Sequence, residues 1–192
     1  STLTIAYDIH PDGRIDVNEV MNASDTANIS DMYRFGMIMQ LPYDMDQSEY
    51  YGRGPMENYP DRYLSENIGI YHQTADEQFY PYIRPQETGT KGDMRWWKQI
   101  TKAGQGLIVT SEKKFYASAL HYDQEELDEG EWKRQRHPKD LNLSHFTNLF
   151  LDTEHTGVGG VNSWGLDGIA LPQYRVHYGD KSFRFTIQPI KE

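Results

Sequence analysis

The chain has no cysteine, which excludes a disulfide scaffold, a thiolate metal site and a cysteine nucleophile. It has no run approaching the ~20 consecutive apolar residues of a membrane-spanning helix, so the sequence reads as one that does not cross a bilayer in that way. It is short of cations: 19 Lys plus Arg stand against 29 Asp plus Glu, a net charge of −10 over 192 residues. A phosphate-binding surface needs clustered Lys and Arg, so nucleic acid is a poor partner for it. There is no metalloprotease helix signature, no phosphate-binding P-loop and no serine nucleophile elbow. The chain also opens at Ser1 with no methionine, no basic segment and no apolar signal core, and so reads as a piece of a longer polypeptide.

What is present is aromatic and alternating. Fourteen Tyr, 7 Phe and 4 Trp give an aromatic content of 13%, and such side chains bury roughly 150–250 Å² each. The dominant period is two. Leu3, Ile5, Tyr7 and Ile9 alternate, Pro11-Asp12-Gly13 supplies a turn, and Ile15 and Val17 resume the pattern. Tyr33, Phe35, Met37, Met39 and Leu41 form a longer run ended by Pro42. Leu107 and Val109, then Phe115, Ala117 and Ala119, read as a hairpin around Ser111-Glu112-Lys113. Tyr174, Val176 and Tyr178, then Phe183, Phe185 and Ile187, read as a second hairpin across Gly179-Asp180. One apolar face per strand suits antiparallel sheets stacked as a sandwich, so the expected fold is all-β, a single domain over residues 1–192.

Two stretches depart from that pattern. Residues 123–145 suggest a short helix over Gln124–Glu129 followed by a basic run, Lys133, Arg134, Arg136 and Lys139, that offsets the acidic block on a solvated surface. Residues 42–95 read as the least regular part, rich in Pro, Gly and Tyr, and loops that long are more often functional than idle.

The candidate chemistry is sparse. The seven His (10, 72, 121, 137, 145, 155, 177) form no short ligand pair on a helix. Asp152-x-Glu154-His155 has metal-binding donor types, but regular alternation puts Asp152 and Glu154 on one face and His155 on the other, so no metal is assigned. Sequons at Asn22, Asn28 and Asn142 carry little weight as isolated triplets. Gly157-Val158-Gly159-Gly160 lacks the strand-then-helix context of a dinucleotide loop and reads as a tight, low-profile loop. Trp164, just beyond Asn162, is either a core plug or an exposed platform for the C–H face of a sugar, and chemistry alone favours the plug. Glu57 and Asp61 resemble a glycosidase carboxylate pair in type, yet Arg53 and Arg62 lie within reach, which favours ion pairing and capping of a folded loop. Glu87, Asp93, Arg95 and Trp96 raise the same choice; bracing is the default, with Glu87 also able to bind a polar ligand.

Four collinear stretches resemble one family. YGRGPMENYPDR (51–62), PYIRPQETGTKGDMRWW (81–97), SALHY (118–122) and LDTEHTGVGGVNSWG (151–165) are similar to the C-terminal domain of the large bacterial β-galactosidases of glycoside hydrolase family 2. The resemblance covers nearly the whole chain. It implies a large antiparallel β-sandwich, related in fold to galactose mutarotases, beside a (β/α)8 barrel that carries both catalytic glutamates and the Mg2+ and Na+ of the full enzyme. No cofactor and no catalytic residue fall in this stretch, so the chain alone should be inactive. The resemblance makes Trp164 a platform at the active-site mouth, with Gly159, Gly160 and Asn162 around the galactoside. It leaves Arg53, Glu57, Asn58, Asp61, Arg62, Glu87, Arg95 and Trp96 as the structural motif. The implied partners are the barrel, other domains and further copies of the same enzyme, in a bacterial cytoplasm or periplasm. In the family an acidic residue follows the paired glycines; here it is Val161. The chain also starts partway into the family's domain, which predicts a partial sandwich with one raw edge. An alternative is a mutarotase-like epimerase using His121 or His177 with Glu87; another is a purely structural docking module.

Overall fold

The computed structural model describes residues 1–24, 29–128, 130, 136–162, 165 and 168–190. Among the described residues nine strands are formed: β1 (Thr2–Ile9), β2 (Ile15–Asn22), β3 (Arg34–Pro42), β4 (Gln47–Gly54), β5 (Asn67–Thr74), β6 (Lys91–Ile100), β7 (Gly106–Leu120), β8 (Phe146–His155) and β9 (Lys181–Ile190). Two four-residue helices, α1 (Ala75–Gln78) and α2 (Gln124–Leu127), sit between strands. All pairings are antiparallel, in the order β1-β2-β9-β7-β6-β4-β5, with β3 joined through β8 to β7. This is the all-β architecture that the alternation implies.

The sheet forks at β7. On one edge β7 pairs with β6; on the other, Gly106–Thr110 pair with β9 and Tyr116–Leu120 with β8. The expected hairpin at Ser111-Glu112-Lys113 is therefore a single 15-residue strand. The odd-numbered positions keep one phase from Leu107 to Ala119, and a strand that reversed at the turn would not need to. The turn-forming residues instead mark an irregularity, where Trp96 pairs with Thr110 but Met94 with Phe115, and where β7 changes partner. The fork lets both branches contribute to one core: Val17, Phe183 and Phe185 from one, Phe35, Leu149 and Leu151 from the other, around Tyr50, Met94, Trp97 and Phe115. Tyr50 stacks on Trp97 at 4.8 Å between ring centroids.

Two further expectations fail for physical reasons. Tyr174, Val176 and Tyr178 do not pair with β9. Pro172 opens a 3-10 turn over Pro172–Tyr174, Val176 makes a single bridge to Met32, and β9 lies between β2 and β7. Residues 42–95 are more regular than they read, since they include β4, β5 and α1. Of the core-facing positions of β4, only Tyr50 is large and apolar; Ser48, Gly52 and Gly54 are polar or small, so no apolar alternation announces the strand. A Cβ on Gly52 would lie 2.2 Å from the Met94 side chain. The short helix near residue 124 is present as α2, and Arg136 pairs with Glu126 across the acidic and basic blocks. Glu129, at the end of the expected helix, and Lys133, Arg134, Asn28 and Trp164 lie outside the described residues.

Candidate functional site

The site is built on the face of β3 and β8 that turns away from the main core. A bulge shapes it: Arg34 pairs with His155 and Phe35 with Glu154, but Gly36 pairs with Asp152, so Thr153 is the extra residue. The alternation that would set His155 against Asp152 is thereby reset. Asp152 and His155 are both buried and both approach Arg34, while Glu154 turns to Lys181 at 2.8 Å. Gly36 is required at the bulge, because a Cβ there would lie 2.0 Å from the carbonyl oxygen of Leu151. Among the described residues no three His, Asp or Glu side chains form a metal-binding group.

Arg34 donates to Glu87 Oε2 at 2.8 Å and to His155 Nε2 at 2.7 Å, and its guanidinium lies over the Phe150 ring. His155 Nδ1 donates to the Thr156 carbonyl at 2.8 Å, which fixes the tautomer. Glu87 also accepts from Thr90 Oγ1 at 2.7 Å and from the Tyr59 hydroxyl at 3.3 Å. Burial pushes the Glu87 carboxyl up, but the Arg34 charge, with the hydrogen bond from Thr90, outweighs it and holds the group low, at about 2. Asp152 is raised above the ordinary range by burial, despite Arg34.

Over this floor lies the loop that follows β4. Asn58, fully buried, donates to the carbonyls of Arg53 and Met56 and accepts from Gly92 N–H, each at 3.0 Å, so it ties the loop to β6. Arg53 binds Asp93 Oδ2 at 2.8 Å and the Glu66 carbonyl. Arg95 lies over the Tyr51 ring, and Trp96 packs beside Tyr51. Glu57 pairs with Arg62 at 3.0 Å and accepts from Gly89 N–H at 2.7 Å, Thr88 and the Tyr82 hydroxyl. The carboxylate pair is thus split. Asp61 makes no ion pair among the described residues and turns instead to the glycine loop, accepting from Val158 N–H at 3.3 Å and Gly159 N–H at 2.6 Å.

The glycine loop emerges from β8. Gly157 is buried and its N–H donates to the Tyr174 carbonyl at 2.7 Å, whereas Gly159, Gly160, Val161 and Asn162 are exposed. His121 binds Asp76, Tyr43 and Thr147, and His177 binds Asp31. Neither His meets Glu87, so the structure does not assemble the pair that the epimerase alternative needs. The partner that sequence reasoning missed for Glu87 is Arg34, 53 residues away in the chain. Glu87 and Asp152-x-Glu154-His155 were each visible, but nothing local linked them.

Comparison with known proteins gives the class. Residues 1–187 match the family model described as the β-galactosidase small chain, and the chain belongs to that family. It is 37% identical over 159 residues to a β-galactosidase of Vibrio cholerae, covering 82% of this chain and 14% of the relative. It is 31% identical over 189 residues to that of Lactobacillus delbrueckii subsp. bulgaricus, covering 98% and 18%. For the enzyme of Priestia megaterium the identity is 29% over 188 residues, covering 97% and 17%. The chain spans less than a fifth of the length of these relatives.

Proposed function

We propose that this chain is the non-catalytic C-terminal domain of a β-galactosidase of glycoside hydrolase family 2, and that it completes the rim of an active site carried by a separate barrel. In that reading the barrel supplies two glutamates. One attacks the anomeric carbon; the other protonates the leaving oxygen and then activates water, so that β-galactosides are hydrolysed with retention. Mg2+ and Na+ belong to the barrel, and this chain brings no ligands to them. Its own residues bind and exclude water: Trp164 stacks on the galactoside, Gly159 and Gly160 allow its close approach, and Asn162 hydrogen-bonds a hydroxyl. The partners are the barrel and neighbouring domains, in a homo-oligomeric enzyme acting on galactosides such as lactose.

The observation that supports this reading is the glycine loop itself. Its base is buried at Gly157, Asp61 holds the amides of Val158 and Gly159 where it emerges, and residues 159–162 are presented to solvent, ending two positions before Trp164. In the intact enzyme Trp164→Ala should raise KM about tenfold, the equivalent of roughly 1–2 kcal/mol for an aromatic face contact, with the fold retained. A loss of stability at unchanged KM would overturn the platform. A docking module is the second reading, and one observation favours it: β1 exposes Leu3, Ile5, Tyr7 and Ile9 along a single face. That reading expects no KM effect from any substitution in the loop.

A further inference from the structure

We infer that Asp61 is a positioning residue for galactoside binding, acting through the glycine loop; the inference rests on the proposed contact between that loop and the sugar. Its carboxylate receives two successive backbone N–H groups, from Val158 and Gly159, at 3.3 and 2.6 Å. Successive amides converging on one anion form a rigid concave template, and charge-assisted hydrogen bonds of this kind are about twice as strong as neutral ones. The loop is also shaped around the carboxylate. A Cβ at Gly157 would lie 2.7 Å from Asp61 Cγ, and one at Gly159 would lie 3.0 Å from Asp61 Oδ2. Gly160 is confined from its own side, since a Cβ there would lie 2.5 Å from the Gly168 backbone.

Asp61 is in turn fixed by the loop that follows β4. The next residue, Arg62, donates its N–H to the Tyr59 carbonyl at 2.8 Å, lays its guanidinium over the buried Tyr59 ring and pairs with Glu57. The two amides it holds are those at which the chain passes from the half-buried Val158 to the exposed tip that begins at Gly159. The arrangement sets the height and direction at which residues 159–162 leave the surface.

The test uses the intact β-galactosidase carrying Asp61→Asn, which keeps the shape but puts an amide where an acceptor oxygen was. Expected are a KM raised five- to tenfold, kcat within twofold of the parent, and faster hydrogen exchange in the peptide spanning Val158 and Gly159. Gly159→Ala, which presses on the same carboxylate from the other side, should shift KM in the same direction. Combining Asp61→Asn with Trp164→Ala should raise KM no further than Trp164→Ala does alone. Parent-like exchange at Val158 and Gly159 in Asp61→Asn overturns the clamp. Faster exchange with unchanged KM, in an enzyme where Trp164→Ala does raise KM, overturns the positioning role. If Trp164→Ala itself leaves KM unchanged, the sugar-contact reading fails, and the exchange data still decide the clamp.

Discussion

Glu87, in a loop, and Glu19, in the middle of β2, are both acids taken largely out of water, and the groups around them differ. Glu87 sits where the loops cross β3 and β8, with Arg34, Thr90 and Tyr59 aimed at it, and it is held ionised. Glu19 is 2% exposed on the core face of β2, in register with Ile5 and Phe183, and its Oε2 has no hydrogen-bond partner. Burial, with the charge of Asp152 added, pushes Glu19 up to about 7. The difference lies in what each environment can bring. Loops deliver side-chain donors from distant parts of the chain, whereas a strand between two strands delivers only its neighbours' apolar faces.

The largest effect that would break this contrast belongs to Glu87. Glu87→Gln keeps the volume but removes the nearer carboxylate of the buried Arg34, at 2.8 Å, and leaves it Asp152 at 3.6 Å. Breaking a buried pair on one side costs about 3–5 kcal/mol, and urea unfolding at pH 7 should show a loss of about 3 kcal/mol. The sign with pH follows from the low native value. The carboxylate contributes fully above its ordinary value of 4.5 and loses that contribution as pH falls towards about 2, so the mutational penalty should shrink in acid. A penalty below about 0.5 kcal/mol, the range of ordinary surface changes, would mean that the network is not what holds the loops to the sheet.

Glu19→Gln should act in the opposite sense. A carboxyl raised from 4.5 to about 7 binds more protons in the native state than in the unfolded one, so stability falls as pH rises between those values and is level above them. Each tenfold difference in proton affinity between the two states is worth about 1.4 kcal/mol. The glutamine variant should therefore be more stable by roughly 3 kcal/mol at pH 8 and nearly unchanged at about pH 4.5. Paired denaturation curves at the two pH values measure this. Destabilisation at the higher pH would show that the ionised group has a partner after all, and the two acids would then be alike.

The same division governs how far the amino-acid sequence reveals the molecule. β1, β2, β3 and β9 are legible because apolar residues alternate along each, and in β2, β3 and β9 that face is the one turned to the core. The fork in β7 is not, since periodicity reports which face is buried and not which strand lies alongside; a turn-like triplet could be a reversal or a change of partner. β4 is hidden by its inward glycines. In the site, the pairing of Glu57 with Arg62 could be foreseen at a separation of five residues. The reach of Asp61 to Gly159 spans 98 residues and follows only from the packing of two loops. The bulge at Thr153 is one added residue, yet it reverses which of Asp152, Glu154 and His155 share a face.

The smallest effect sharpens the contrast at its apolar end. Among the described residues β1 pairs with β2 alone, and its Leu3, Tyr7 and Ile9 lie in register with Met21, Val17 and Ile15, on the face that β2 packs into the core. On β2 that face is covered. On β1 it is open, with Tyr7 54% and Ile9 76% exposed. A lysine at the centre of this row removes little buried area, so Tyr7→Lys should change the stability of the chain by no more than about 0.5 kcal/mol. It should, however, reduce self-association at high concentration, measured by light scattering, because an open apolar row on an edge strand is a template for pairing and a lysine within that row blunts it. A loss of several kcal/mol would instead make Tyr7 part of the core. The open row would then be no counterpart to the loop-covered face, and the contrast would rest on Glu19 alone.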